Sequence, residues 1–472
     1  MSFTTPAFFC LLLLFLGTWP IMRLHARRRY CAIAAASLVF YGWWDWRFLG
    51  LLLGTGALDF TAALLMVRLP RLRKGILWAS IVANLGAICF FKYLGFGLEQ
   101  LGLVFDIPPA AHDWAHQIVL PVGISFYTFA SMSYTIDVYR GQLEPVRDPL
   151  QFCAFLSMFP HLVAGPIVRG SELLPQLETP GHFSRANRLA GLQRVAWGFV
   201  KKVVVADQLA PTVNEAFSAS TDLGLGWWAV VVLFAIQIFC DFSGYCDIAC
   251  GIVQWMGYRF PENFLHPYSA LGFRDFWSRW HVTLSSWFRD YLYVPMGGSR
   301  RGKVRTTLNL MMTMLLSGLW HGASWTFVAW GVFHGLLLIA ERFVAGVGAP
   351  VNDASRWRRP RRLALWMLTF ACVCVGWALF RSTSMDQARY VVGSMMGMRG
   401  WGALPPWLHL PSVWLSLGIV LLACGSWAIA CRRQALGLGP APSWLRVSLI
   451  VIGLLMAVFL RGPGSDFIYF QF

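Results

Sequence analysis

Long apolar runs separated by short basic turns set the rhythm of this chain. The first run covers residues 6–22 and is followed by Arg23, Arg27, Arg28 and Arg29. Residues 31–44 and 48–66 read as a helical hairpin with Trp43, Trp44, Asp45 and Trp46 at its tip, and a second basic turn occupies 68–74. Runs at 75–98 and 118–138 flank a polar stretch at 99–117 that reads as a loop. Residues 149–168 are apolar but hold Pro160, Gly165 and Pro166, which predicts a broken, re-entrant segment. Non-helical backbone at membrane depth is tolerated only where protein buries it or it lines a cavity. Residues 189–217, with Arg194, Lys201 and Lys202, predict a helix at the inner surface, and 226–257 a long helix carrying Asp241 and Asp247. The run at 306–341 is too long for one span and is interrupted by WHGASW at 320–325; further runs lie at 363–380, 412–430 and 444–460.

An apolar helix of about 20 residues crosses the hydrocarbon core of a bilayer. The pattern therefore predicts an all-α polytopic membrane protein with roughly ten to twelve membrane segments. No repeat and no separate soluble domain interrupts it, so residues 1–472 read as one membrane domain. The first run has no basic residue before it and no small-residue cleavage site after it, so it reads as an uncleaved span. Basic turns belong on the cytoplasmic side. That rule places both termini, including the tail 461–472, on the outer side of the membrane, the periplasm of a bacterium.

Composition agrees with this reading. Of 472 residues 57% are hydrophobic and 13% charged, against about 25% charged in soluble domains. The 24 Trp and 13 Tyr suit membrane interfaces. A net charge of +17 on a soluble protein would suggest a nucleic-acid partner, but here the basic residues sit in short turns, so no nucleic acid is expected and membrane lipid is the neighbour. The 11 cysteines lie mostly inside apolar runs; Cys240, Cys246 and Cys250 match no zinc spacing and read as packing residues.

Polar groups within apolar runs are costly and are usually functional or paired. They gather in four stretches: FPHLVAGPIVR at 159–169, DFSGYCD at 241–247, DFWSRWHVTLSSWFRDY at 275–291 and GLWHGASW at 318–325. The third reads as a helix at the inner surface or lining a funnel, on which Asp275 and Arg279 stand one turn apart and can pair, and His281 and Ser285 share a face. His321, beside Gly322, is the candidate catalytic residue. A neutral imidazole at depth can take the proton of a hydroxyl as general base. The alternative is a histidine that only hydrogen-bonds between helices. His161 and His334 read as core histidines, Asp241 and Asp247 as ties between helices through Arg or Trp partners. A metal held by His281 and His321 lacks the Cys or acidic residues that would complete its site. The tail DFIYFQF at 466–472 reads either as an interface anchor or as a segment folded back into an outer funnel, so that Tyr469 presents its hydroxyl towards His321 as a temporary acyl carrier.

At FPHLVAGPIVR, DFSGYCDIACGI, NFLHPYSALGFRDFWSRWHVTLSSWFRDYLYVPMGGSR, SGLWHGASWTFVAWGVFHG and DFIYFQF the chain resembles the membrane-bound O-acyltransferase family, in its alginate O-acetyltransferase branch, which is related to the teichoic acid D-alanyl transfer protein. The resemblance runs from about residue 121 to 341, plus the tail. It implies a ring of helices around a central tunnel, with an acyl donor entering from the cytoplasm and the acceptor outside. It implies that His321 is the family's catalytic histidine and His281 its second one. The tail looks like the end of the short partner peptide of the teichoic acid system, whose tyrosine takes the acyl group. Trp320, Ser324, Trp280, Ser285, Arg279, Arg289, Asp290 and Asp241 are the residues expected to line the tunnel or meet substrate.

The function expected is an O-acetyltransferase of a bacterial inner membrane that moves an acetyl group from a cytoplasmic thioester, acetyl-CoA or an acyl carrier, towards an exported polysaccharide. No bound cofactor is expected. A periplasmic acetyltransferase is the expected partner, by analogy with the branch. The basic stretch 274–305 would suit the phosphates of CoA, or reflects topology alone. Transfer of a D-alanyl or fatty acyl group, a transporter, and a non-catalytic secretion scaffold are the rival readings.

Overall fold

The computed structural model describes residues 3–179, 181–218, 223–345, 358–402, 410–435, 443–465 and 467–468. Among them every regular element is helical. Five segments are long and apolar enough to cross a membrane: Ala26–Arg68, Pro70–Gly102, Gly224–Met256, Trp325–Val344 and Pro360–Arg381. Pro6–Met22, Pro411–Leu422 and Val447–Phe459 are shorter apolar helices. The expected all-α polytopic membrane architecture is the observed one. Leu13 and Leu14 are 72% and 68% exposed, a liability in water and the normal condition of a helix facing lipid.

The chain forms two compact units, Met1–Gly191 with Ala249–Glu262, and Leu192–Ile248 with Asn263–Phe472. In the first, α1 (Pro6–Met22) starts at Thr5, whose hydroxyl caps the Phe8 N–H, with Pro6 at the first helical position. Helices α2 (Ala26–Asp45) and α3 (Leu49–Arg68) are joined by a 3-10 turn, Trp46–Phe48, where Asp45 caps Arg47 and pairs with it at 2.6 Å. The tip tryptophans Trp43 and Trp46 are exposed, as their place in the hairpin predicted. Helix α4 (Arg73–Ile88) runs through a π-helical turn into α5 (Leu94–Gly102). The expected loop at 99–117 holds a short helix, α6 (Pro109–His116), set by prolines at its start. Helix α7 (Ile124–Arg140) is followed by α8 (Pro149–Ser157), α9 (Phe159–Leu162) and α10 (Gly170–Glu178). The break expected at Pro160 lies between α8 and α10, and residues 152, 154–168 are all buried, so protein covers the irregular backbone.

Two polar ties hold this unit. Asp59 of α3 accepts hydrogen bonds from Ser80 (2.5 Å) and Asn84 (3.0 Å) of α4 and from Ser131 of α7, satisfying a buried carboxylate with neutral donors from two other helices. Arg29 of α2 is 1% exposed and spreads its guanidinium over the carbonyls of Leu177 (2.8 Å), Glu178 (2.9 Å) and Arg23 (2.6 Å). A planar group with five donors can close the open carbonyl end of α10 in this way.

The second unit contains the end of α11 (Arg185–Phe199), a π-helical turn Val200–Ala206, α12 (Asp207–Ser218) and most of α13 (Trp227–Met256). After α14 (Phe273–Trp277) and α15 (Val282–Phe288) come α16 (Gly302–His321) and α17 (Trp325–Ala345), the two halves of the run interrupted at WHGASW. They pack closely because a Cβ on Gly318 would lie 2.3 Å from the Phe327 carbonyl oxygen, and one on Gly331 2.5 Å from that of Met314. Helices α18 (Arg358–Arg381), α19 (Met385–Met395), α20 (Pro411–Ala435) and α21 (Ser443–Phe459) complete the unit.

Arg29→Ala should lower the thermal unfolding midpoint of the detergent-solubilised protein by several degrees, since each buried carbonyl left unpaired costs about 1–3 kcal/mol. Arg27→Ala, on the exposed face of the same turn, should stay within about 0.5 kcal/mol of the parent. Equal midpoints for the two variants would show that the Arg29 tie contributes nothing.

Candidate active site

His321 is the last residue of α16, where the helix stops before Gly322 turns extended. Its imidazole is 5% exposed and is walled by rings: Trp320 at 4.9 Å between centroids, Trp330 of α17 at 5.1 Å and Phe380 of α18 at 5.2 Å. Gly322 makes room for Phe327, whose ring a Cβ would meet at 2.2 Å. The glycine next to the histidine thus serves packing of the wall.

His281 is fully buried, and Trp320 links it to His321, with ring centroids 5.8 Å apart on that side and Phe242 of α13 at 4.7 Å on another. Burial pushes the His281 imidazole down to about 3, so it is neutral near neutral pH. The expectation of one helix through 275–291 is corrected here. His281 stands in the left-handed region, φ 43° and ψ 53°, and separates α14 from α15. The physical reason is Asn263. Its carbonyl takes the Val282 N–H at 3.0 Å and its side-chain oxygen takes the Thr283 N–H at 3.2 Å, which supplies the partners for the first amides of α15. His281 is therefore the N-cap of α15, outside the regular helix that carries Ser285. The Ser285 amide bonds to the His281 carbonyl at 3.0 Å, and its hydroxyl to that of Trp280 at 3.3 Å.

The other predicted residues divide in two. Trp280 is buried in the same aromatic cluster, against Phe264 (5.0 Å), Phe276 (5.8 Å) and Trp377 (4.7 Å). Arg279 pairs with Asp275 at 2.6 Å as the spacing predicted, and Arg289 with Asp290 at 2.7 Å; both arginines are partly exposed. Ser324 accepts the Thr326 N–H at 3.3 Å and acts at the start of α17. His334, expected to be a satisfied core histidine, lies among Trp330 (4.9 Å), Trp277 (5.2 Å) and Phe276 (6.3 Å), and its Nδ1 has no hydrogen-bond partner among the described residues.

Among the described residues, Asp241 is held by a lysine and a backbone N–H, not by the expected Arg or Trp. Lys202 Nζ sits between Asp241 (2.7 Å) and Asp207 (2.8 Å), all three nearly buried. Asp247 pairs with Arg194 (2.9 Å) and Lys201 (2.6 Å). The Lys202 triad also grips the C-terminal strap. Lys202 donates to the Ser465 carbonyl (3.0 Å), the Ser465 hydroxyl donates to Asp207 (2.7 Å) and the Ile468 N–H donates to Asp241 (2.7 Å). Gly462 N–H reaches the Val203 carbonyl at 2.7 Å. Phe467 then packs between Tyr245 (5.0 Å, tilted) and Phe242 (5.7 Å, edge to face), and Phe242 is the ring against His281. Asp466 and the proposed carrier Tyr469 lie outside the described residues. Sequence reasoning missed Asn263, Lys202 and Asp207 as parts of this arrangement. A lysine and an aspartate five residues apart within an apolar stretch were the available signal for the last two.

The sequence model of the membrane-bound O-acyltransferase family matches residues 146–384, a range that holds His281, His321 and the aromatic wall. The chain belongs to the membrane-bound O-acyltransferase family. It is 38% identical to the probable alginate O-acetylase AlgI of Azotobacter vinelandii over 85% of this chain and 79% of that protein. To the peptidoglycan O-acetyltransferase of Helicobacter pylori it is 33% identical over 78% of this chain and 74% of the relative. To the teichoic acid D-alanyltransferase of Bacillus subtilis it is 27% identical over 58% of this chain and 71% of the relative. As a member of this acyltransferase family with several apolar spans, the protein is a multi-pass membrane protein.

Lys202→Met should cost about 3–5 kcal/mol, because two buried carboxylates would lose their cation, and should make the C-terminal residues readily trimmed by carboxypeptidase. Lys201→Met leaves Asp247 its Arg194 partner and should lose far less. Tail trimming at the parent rate in Lys202→Met, measured by mass spectrometry, would argue against the clamp.

Proposed function

We propose that this family member is an O-acetyltransferase of a bacterial inner membrane that delivers an acetyl group from a cytoplasmic thioester, acetyl-CoA or an acyl carrier, towards an exported polysaccharide. The observation that carries the reading is the grouping of two buried histidines, His321 and His281, about one Trp320 ring, in a wall of aromatic side chains that also receives the C-terminal strap. Water is expelled from such a wall, so a hydroxyl and a thioester meeting there would react with each other and not with solvent. A helix ring with a through-tunnel, implied by the family resemblance, would let donor and acceptor enter from opposite sides.

In this reading His321 takes the proton of the attacking hydroxyl as general base. The hydroxyl oxygen forms the new ester bond with the acetyl carbon, the carbon–sulfur bond breaks, and the leaving sulfur recovers the proton from the imidazolium. The first hydroxyl is that of Tyr469, one residue beyond Ile468 in the sequence, and a second transfer of the same kind passes the acetyl group on. Arg300, Arg301, Lys303 and Arg305 are exposed and would meet the phosphates of CoA. A periplasmic acetyltransferase finishes the reaction on the glycan, and both termini of the chain face the periplasm. The names of the alginate and peptidoglycan relatives favour acetyl as the group; those of the teichoic acid relatives make D-alanyl the second reading.

The test uses purified protein in proteoliposomes with radiolabelled acetyl-CoA. Label on the parent protein, lost in His321→Ala and in Tyr469→Phe, is the expected result. Loss only in His321→Ala would retain the histidine and remove the tyrosine relay. No label from acetyl-CoA, with label from a D-alanyl carrier protein, would move the reading to D-alanyl transfer. Undiminished label in His321→Ala would remove it.

A further inference from the structure

The two ends of the Asn263 amide are told apart by their neighbours. The Thr283 backbone N–H and hydroxyl both reach one atom, at 3.2 and 2.9 Å, and the other atom faces Cys246 Sγ at 3.3 Å. A backbone N–H can only donate, so the atom it reaches is the amide oxygen and the amide cannot be turned over. His281 Nδ1 lies 3.1 Å from that same oxygen. An amide oxygen can only accept, so Nδ1 carries a proton. A neutral imidazole has one N–H, which leaves the lone pair on Nε2.

The backbone reinforces this choice. A left-handed conformation is rare for a residue with a Cβ and persists only where the surroundings over-determine it. Here the Asn263 carbonyl and side chain hold the two residues after His281, and Ser285 holds its carbonyl. The imidazole is thus aimed by one asparagine that reaches it from eighteen positions back in the chain.

We propose that Asn263 is a positioning residue for the acyl transfer: it holds His281 as the Nδ1–H tautomer, so that His281 meets substrate through Nε2 as an acceptor of an O–H or N–H hydrogen. While neutral, His281 is then barred from donating through Nε2 to a developing oxyanion, and that task falls to other groups. The inference rests on the acyltransferase reading for its role in catalysis, but the tautomer stands on geometry alone.

Two measurements test it separately. Solid-state NMR of protein labelled with ¹⁵N-histidine, with His281→Gln to identify the signals, should show His281 protonated at Nδ1 and bare at Nε2. In Asn263→Ala that pattern should be lost or mixed with the other tautomer. A parent His281 protonated at Nε2 would overturn the proposal whatever the activity. In the acetyl-transfer assay, Asn263→Ala should lower kcat by about 10–100-fold with KM little changed, by analogy with the loss when the hydrogen-bond partner that orients a metal-ligating histidine is removed. Asn263→Asp keeps the acceptor oxygen but adds a negative charge beside the ring. It favours imidazolium and should move the acid limb of the pH–rate profile to higher pH. A purely structural role would lower the melting point of Asn263→Ala and leave the profile of the surviving protein unmoved, which would overturn the proposal. Transfer abolished in His281→Ala but unchanged in both Asn263 variants would overturn it too, with the acyltransferase reading intact. Transfer unchanged in His281→Ala would overturn the proposal as well, again with the acyltransferase reading intact.

Discussion

A single ammonium, Lys202 Nζ, shared between the carboxylates of Asp207 and Asp241, is the constraint on which the second unit's chemistry depends. Two carboxylates and one cation leave a net negative charge in a nearly dry place, which would be prohibitive alone. The deficit is met by hydrogen-bond donors, and two of them, the Ser465 hydroxyl and the Ile468 N–H, belong to the last residues of the chain. The strap therefore completes the ion cluster as much as the cluster anchors the strap. Because the grip falls largely on backbone atoms, it fixes where the chain runs. Phe467 takes up its place beside Tyr245 and Phe242 as a consequence.

From Phe242 the contacts continue ring to ring. His281, Trp320, His321, Trp330 and His334 form an unbroken series with centroid separations of 4.9 to 5.8 Å. Edge-to-face packing of this kind excludes water while presenting ring edges and nitrogens at defined angles. Such surroundings suit proton transfer between neutral partners, since charged forms are disfavoured unless the reaction itself creates them. They also explain why a wide aromatic content is spent inside the protein as well as at its surface.

Much of the fold was legible in the pattern of apolar runs, because a helix that faces lipid must be apolar over its whole length and its ends must be polar. The hairpin around Trp43 and Trp46, the break at Pro160 and the interruption at WHGASW all appear where the sequence puts them. His281 and His321 were legible as candidates for the same reason: an imidazole among apolar residues is conspicuous. The single helix expected over 275–291 was not observed, since local spacing carries no trace of a distant asparagine that takes over the first hydrogen bonds of α15. Nor did spacing reveal that Gly322 accommodates Phe327, or that Asp241 answers to a lysine on a π-helical turn.

By itself, then, the sequence determined the solvent of this protein, its helical class, the family to which its motifs belong and the residue types able to do acyl chemistry. Those properties depend on composition and on short-range periodicity. Tertiary structure alone decided which nitrogen of His281 bears the proton, which cation neutralises Asp241 and where the C-terminal strap is held. Each of those rests on a hydrogen bond or ion pair between residues far apart in the chain, and the energy of such a contact depends on distance and direction in space, neither of which is written in the order of the residues.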